Sequence, residues 1–196
     1  MTQSKKMELE EGSWFADLLM CFAPSKVDTS GKTPAELMAR ASWKAFAIGT
    51  AAAIPPGPLG WATILPEMAS VTKIQINLIY DIAEHYKQRG KLNKTLVMMI
   101  FANEAGIEVG MELVERVGKK LVIRALGSKL LRPIVTKIGA RLGVRITQRM
   151  IGRWVPVVLA PAFGAFSKKM TTQIGKECVK LFQEDLEIVE ARQEQT

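Results

Sequence analysis

Histidine is nearly absent from this chain, which contains only His85, and cysteine occurs only at Cys21 and Cys178. A single histidine excludes most metal sites and every serine–histidine or cysteine–histidine nucleophile pair that does not use His85. Two distant cysteines without a CxxC pair form neither a disulfide framework nor a zinc ribbon, which indicates a reducing compartment. We therefore expect no metal and no cofactor, and we assign no catalytic residue.

Carboxylates are missing from one long stretch of the chain. Residues 116–176, called the basic block below, contain 14 Lys and Arg and no Asp or Glu. Residues 1–115 hold 11 basic and 13 acidic residues, and residues 177–196 hold 2 and 6, so the net charge of +8 arises in the block. Such a block requires an anionic partner or an acidic segment of the same chain.

Basic residues recur at every fourth position from Lys137 to Arg153. Each step of four turns an α-helix by about 400°, so the charge winds over a broad face, and the apolar residues between suit an amphipathic helix. Base stacking has no platform, because no aromatic residue lies between Arg116 and Arg153. We rank an anionic membrane surface first, a protein partner second and nucleic acid third. The predicted membrane- or anion-binding residues are Arg124, Lys129, Arg132, Lys137, Arg141, Arg145, Arg149, Arg153 and Trp154.

A solvated face paired with local acids is the alternative interpretation of the basic block. On a helix that continues past residue 118, Glu112 would pair with Arg116 and Glu115 with Lys119. Each such pair contributes only about 0.2–0.5 kcal/mol. These pairs would neutralise the positive charge at the edge of the basic block, and the positive charge at its centre would remain.

Apolar spacing predicts an all-α fold, a compact bundle of about six or seven helices with an apolar hairpin broken by proline and glycine. The segment Thr33-Pro34-Ala35-Glu36 predicts a helix from Pro34 to about Ala53, with a capping threonine and a glutamate three residues later. Asn93 is predicted to cap another helix. Gln75 and Asn103 are predicted to hydrogen-bond to other helices. Further helices are predicted over about 13–22, 61–88, 94–118, 120–142, 144–155 and 167–186.

The longest uncharged run covers residues 45–66 and is 22 residues long. That length suffices to span a bilayer, but the Pro-Pro-Gly-Pro centre excludes a single straight helix. Two interpretations stay open, a hairpin buried in a protein core and a hairpin that inserts into a membrane from one side. The predicted hairpin residues are Pro55, Pro56, Gly57, Pro58, Gly60 and Trp61. A second uncharged run, residues 154–166, is either a core segment or an interfacial one.

Several motifs occur in a characteristic order. Residues 54–60 (IPPGPLG) follow a small-residue helix and precede a run at 79–86 (IYDIAEHY), and the basic block leads to a proline/glycine apolar segment and a final helix. Over about residues 38–185 this order resembles the EcsC protein family. The family-motif residues are Pro66, Glu67, Gln75, Tyr86, Gly164 and Gly175. Glu67 stands where the family pattern has aspartate, and Lys87 where it has glycine.

The resemblance implies a helical protein of bacterial, membrane-linked biology, since the family is named for a bacterial protein encoded with an ABC-type transporter. It supplies no catalytic residues. The predicted organisation is an N-terminal amphipathic helix and loop (1–33), an EcsC-like helical domain (34–190) and a polar tail (191–196). No cleavable signal peptide is recognisable, so we expect the protein in the cytoplasm, either in solution or peripheral to or partly inserted in the inner face of the membrane.

We therefore expect a non-enzymatic, membrane-associated protein that binds an anionic membrane surface or a membrane-protein partner through the basic block. One alternative is a soluble adaptor or toxin-neutralising inhibitor that covers an acidic partner. A second is a hydrolase that uses carboxylates. A small-residue ridge formed by Ala102, Gly106 and Gly110 is the candidate surface for self-association.

Overall fold

Helices dominate the structure, a computed structural model that describes residues 20–24, 27, 31–52, 64–104, 114–117, 120–124, 134, 137 and 160–189. Four α-helices and three short strands have both ends within these residues. The helices are α1 (Pro34–Ala52), α2 (Ile64–His85), α3 (Lys94–Glu104) and α4 (Ala160–Phe182), with a 3-10 turn at Arg89–Lys91. The strands are β1 (Val114–Val117), β2 (Lys120–Arg124) and β3 (Asp185–Val189).

Two helices begin at the capping residues that the sequence predicts. The Thr33 N–H and hydroxyl donate to Glu36 Oε2 at 2.8 and 2.9 Å, and the Glu36 N–H donates to Thr33 Oγ1 at 3.3 Å, which is a reciprocal capping box. These hydrogen bonds from Thr33 lower the pKa of Glu36. At α3 the Leu96 N–H donates to Asn93 Oδ1 at 2.9 Å. Both predicted helix starts are confirmed.

Helices α1 and α4 lie antiparallel and approach each other closely at three glycines. A Cβ added to Gly49 would lie 2.9 Å from Ser167 Oγ and 3.1 Å from Gly164 Cα. At the other end of the pair, a Cβ on Gly175 would meet the side chain of Met38. The register therefore places residue 49 opposite 164 and residue 38 opposite 175. Such a close approach is available only where both helices carry small residues.

Helix α2 runs parallel to α4 and is held to it by a buried hydrogen bond. Gln75 Nε2 donates to Thr171 Oγ1 at 3.4 Å, and the Thr171 hydroxyl donates to the Ser167 carbonyl at 2.9 Å. Further along, Leu78 lies beside Gly175. The predicted contact of Gln75 with another helix is confirmed, and a buried amide with a specific partner holds the two helices in one register.

The core is built from all four helices, with Leu37 and Ala41 from α1, and it extends to Ile123 of β2 and Leu186 of β3. Residues 95–102 of α3 are all buried, so this helix is covered on every side. On α2 the apolar residues Val71, Leu78, Ile79 and Ile82 recur at helical spacing and are buried. Asn103 Nδ2 donates to Glu177 Oε2 at 3.0 Å, a second predicted interhelical contact that the structure confirms.

A three-stranded sheet occupies positions that the sequence analysis assigned to helix. Strand β1 pairs with β2 in antiparallel fashion, and β2 pairs with β3 in parallel. The helices predicted through 118 and from 120 are therefore wrong at residues 114–117 and 120–124, and the final helix ends at Phe182, before Leu186. The i,i+4 pairs predicted for Glu115 and Arg116 lose their basis, because these residues lie on a strand.

The sequence carries a signal for this sheet that helical periodicity obscured. β-branched residues occupy both strands of the β1–β2 hairpin, and only Gly118 and Lys119 separate the paired positions Val117 and Lys120. A glycine at the first of two loop residues favours a hairpin. In β3 the buried Leu186 alternates with the exposed Asp185 and Glu187, which is the period of a half-buried strand.

Helix α4 starts at Ala160, seven residues before the predicted start. Pro161 lies in the first turn of this helix, where a helix needs no backbone donor. The described residues contain four bounded α-helices instead of the six or seven predicted. The hairpin residues 55–61, the ridge residues Gly106 and Gly110 and most of 125–159 lie outside the described residues.

The side chain of Gln88 joins the end of α2 to the turn between α4 and β3. Its Nε2 donates to the carbonyls of Phe182 at 2.8 Å and Glu184 at 2.7 Å, and its Oε1 accepts from the Leu186 N–H at 3.2 Å. Just before it, Lys87 lies two residues beyond the end of α2 and has a φ of 57°. Hydrogen bonds of 2.7 Å from Gln88 N to Ala83 O and 2.8 Å from Lys87 N to Glu84 O form a Schellman motif.

We predict that Gly164→Ala lowers the free energy of unfolding by about 1–3 kcal/mol, because overpacking of a close helix contact forces a backbone shift. The added methyl group would lie 2.6 Å from the Phe46 carbonyl oxygen, which cannot rotate away. Denaturant unfolding of the two proteins measures the difference. Gly90→Ala is the control, since a Cβ there meets nothing within 4 Å. Equal effects of the two substitutions would contradict the close contact.

We predict that Lys87→Gly raises the free energy of unfolding by about 1 kcal/mol, because a side chain in the left-handed region costs about that much. Thermal and denaturant unfolding give the measurement. The matched control is Lys176→Gly, in the interior of α4, where glycine should lower stability by about 1 kcal/mol. A loss of stability from both substitutions would show that Lys87 is not strained.

Candidate functional site

One end of the α1–α4 pair is apolar. The last eight residues of α1 (45–52) and the first eight of α4 (160–167) contain no charged side chain, and the antiparallel register brings them together. We call these two segments the apolar pole. Helix α2 begins at the same end, because it runs parallel to α4. Each uncharged segment was recognised in the sequence separately, and the structure joins them.

The surface of the apolar pole carries exposed hydrophobic groups. Phe166 is 41% exposed, and Ala47, Ala51 and Ala162 are exposed as well. The one acid on α2 at this end, Glu67, is 4% exposed and lies in the first turn of its helix. A carboxylate at that position is favoured by the helix dipole. The pole therefore presents apolar groups, and the acidic side chain of α2 at the same end is withdrawn from the surface.

A group of lysines borders the apolar pole. In the register of the α1–α4 pair, residue 44 lies opposite 169, and in the parallel α2–α4 register residue 73 lies at the same level. Lys44, Lys73 and Lys169 are exposed and Lys168 is partly exposed. We call these four residues the lysine collar. Three helices thus place cations at one level, where the uncharged segments of α1 and α4 end.

Trp43 lies at the level of the lysine collar and is 56% exposed. The Lys168 ammonium is 3.4 Å from the centre of its ring, a cation–π contact. The Phe46 ring packs edge-on against it, with centroids 5.3 Å apart. The indole is therefore held in place from two sides while more than half of its surface stays open to solvent.

The structure places only part of the predicted binding residues. Arg124 ends β2, and Lys137 is exposed. The remaining predicted cations of the block and Trp154 lie outside the described residues. Trp43, Lys44, Lys73 and Phe166 were not among the site residues predicted from the sequence. The available signal was that Trp43 and Lys44 directly precede the uncharged run 45–66.

The family-motif residues do not share one structural role: some lie at helix–helix contacts and others do not. Gly164 and Gly175 are both close-approach positions of the α1–α4 contact, and Gln75 holds α2 to α4. Pro66 is exposed in the first turn of α2, and Tyr86 is partly buried just beyond its end. Gln75, Gly164 and Gly175 therefore support the helix packing, whereas Pro66 lies at the surface.

Acidic residues near the C-terminus pair with two lysines at the sheet. Lys91 Nζ lies 2.6 Å from Asp185 Oδ1, and Lys120 Nζ lies 3.0 Å from Glu187 Oε2. The hydrogen bond from Lys91 lowers the pKa of Asp185, and the one to Glu187 raises the pKa of Lys120. Both pairs are solvent-exposed and contribute little to stability. The two acidic residues lie on β3, away from the apolar pole. Glu187 neutralises Lys120, which lies at the edge of the basic block.

Groups for catalysis are sparse in the part of the chain that the structure describes. No cluster of three His, Cys, Asp or Glu there could hold a metal ion. His85 is the last residue of α2, and its ring packs edge-on against Tyr86. Ala102 of the predicted self-association ridge is fully buried inside the chain.

Comparisons with protein-family models, curated proteins and solved structures find no match to this chain. None of the helices in the described ranges has both the length and the hydrophobicity that a bilayer crossing requires.

We predict that a maleimide labels Cys21 and leaves Cys178 unmodified in the folded protein. Cys178 is fully buried, and burial raises the pKa of its thiol, so the reactive thiolate is suppressed and the reagent is excluded. Mass spectrometry of native and denatured samples gives the measurement. Cys21→Ser is the control and should take no label until it is unfolded. Labelling of native Cys21→Ser would contradict the buried position of Cys178.

Proposed function

We propose that this protein attaches to an anionic membrane surface, with a role in binding instead of catalysis. The supporting observation is the lysine collar, in which four lysines from three helices lie at one level beside the apolar pole. Lys168 and Lys169 belong to the basic block, whereas Lys44 and Lys73 come from parts of the chain with little net charge. The fold therefore gathers more positive charge at this end than the block alone supplies.

The electrostatic attraction of the four collar lysines is large enough to contribute to membrane binding. A lysine close to an anionic leaflet is attracted by about 1 kcal/mol, so four together give about 4 kcal/mol. This corresponds to an increase of roughly a thousandfold in affinity. An exposed ion pair of the Lys120–Glu187 kind contributes a small fraction of that value.

Exposed aromatic groups favour a lipid surface over an acidic protein partner. Trp43 is open to solvent directly beside the collar, and Phe166 is exposed on the apolar pole. Tryptophan and lysine side chains are enriched together at the boundary between headgroups and hydrocarbon. A soluble adaptor that covers an acidic protein would also use the lysines, and the experiment below separates the two.

The EcsC-like assignment remains part of this proposal and rests on the order of the quoted motifs. It adds a bacterial setting at the inner face of the membrane. The predicted helices within 13–22 and 125–159 would bring the bundle to six or seven helices. They would also add the arginine series 137–153 to the binding surface.

We predict that Lys73→Glu combined with Lys169→Glu lowers binding to vesicles at least tenfold, because each reversal replaces an attraction of about 1 kcal/mol with a repulsion. Cosedimentation with phosphatidylcholine vesicles, with and without phosphatidylglycerol, gives the measurement. Binding should require the anionic lipid and weaken with salt.

The matched control reverses two charges at the opposite end of the same two helices. Lys87 follows α2 and Lys180 lies near the end of α4, and both are exposed. Lys87→Glu combined with Lys180→Glu should change binding less than about twofold. The membrane proposal would be wrong if the parent protein did not bind anionic vesicles. If the parent protein then captured one acidic protein that the collar variant does not bind, the lysine collar would bind a protein partner instead.

A further inference from the structure

The surface of the helix bundle changes from charged to apolar along the bundle axis as it reaches the apolar pole. This change comes in addition to the difference between the faces of each helix. An interfacial amphipathic helix lies flat, because its apolar groups form a stripe along its whole length. Here the apolar groups of α1 and α4 occupy one end, and the lysine collar marks where that end stops. This distribution suits entry of the end of the bundle into a membrane.

The chain that joins the apolar pole is uncharged in sequence as well. Residues 53–66 follow α1 and residues 154–159 precede α4, and neither segment contains an ionisable side chain. The nearest cations beyond them are Arg153 and those of the collar itself. The two segments that directly continue the uncharged ends of α1 and α4 along the sequence therefore add no ionisable side chain.

We propose that the apolar pole inserts end-on into one leaflet of an anionic phospholipid bilayer, with Trp43 at the headgroup boundary and the lysine collar against the lipid phosphates. The inference rests on the proposed function. It specifies in addition which part of the molecule enters the lipid and how deep that part lies.

The dimensions of the pole agree with a single leaflet. Eight helical residues rise about 12 Å, and half of a hydrocarbon core of about 30 Å is about 15 Å. The collar then lies at the level of the phosphates, where lysine stems remain in apolar surroundings and the ammonium groups reach water. Trp43, one residue before Lys44, reaches the level that tryptophan prefers.

The close contact of α1 with α4 makes such an entry physically reasonable. Within the pole, the contact between Gly49 and Gly164 does not depend on water being excluded from large side chains. Contacts between small residues persist in lipid, where the hydrophobic effect no longer drives helices together. The pair can therefore enter the leaflet without separating.

Depth-dependent quenching of Trp43 fluorescence tests the inference. Trp14, Trp61 and Trp154 are replaced with Phe, so that Trp43 is the only tryptophan, and circular dichroism confirms the fold. The protein is bound to phosphatidylcholine–phosphatidylglycerol vesicles that carry bromine near the top or near the end of the acyl chains. We expect strong quenching by the shallow label and weak quenching by the deep one.

Each other outcome overturns a defined claim. Bound protein without quenching from either label would refute insertion of the pole and leave surface attachment standing. Stronger quenching by the deep label would refute the shallow depth. Failure to bind vesicles at all would refute the inference and the proposed function together.

A second pair of variants tests the pole without relying on fluorescence. Phe166→Glu places a charge on the pole, and Gln173→Glu adds the same charge to an exposed position of the same helix beyond the collar. We expect Phe166→Glu to weaken vesicle binding at least tenfold, since a carboxylate is expensive to place in hydrocarbon. Gln173→Glu should change it less than about threefold. Equal effects of the two variants would refute insertion.

Discussion

The contact between the backbones of α1 and α4 is the constraint on which the rest of the structure depends. Gly49 and Gly164 allow an approach that any Cβ would prevent, and Gly175 accepts Met38 in the same way further along. Such a contact fixes both the distance and the register of two helices, because only these positions can lie opposite each other. The position of every other group on the pair follows from that register.

Two buried glutamines then attach α2 to this pair. Gln75 binds Thr171 in the middle of α4, and Gln88 binds the carbonyls at its end. A buried amide that loses its partner is costly, so these contacts disfavour a slip of α2 along α4. This fixed register determines where the lysines of the three helices lie relative to one another. Lysines from three helices, far apart in sequence, lie at one level beside an uncharged end.

Local hydrogen bonding was readable from the sequence. The capping box at Thr33 and the cap at Asn93 involve residues within three positions of one another, so their chemistry is present in any window of the chain. The starts of α1 and α3 followed from such patterns. The β1–β2 hairpin was missed because its strands are short and lie between segments of helical spacing. Strand β3 depends on a partner more than 60 residues away, and no local pattern contains that partner.

The amino-acid sequence alone determined where charge is absent, where helices are capped and which residues are small enough for close contact. These properties depend on each residue and its near neighbours. Only the tertiary structure decided that residues 45–52 and 160–167 meet at one end, and that Trp43 stacks on Lys168 there. The level at which two distant helices meet is set by packing across the whole contact, and the spacing within either helix carries no information about it.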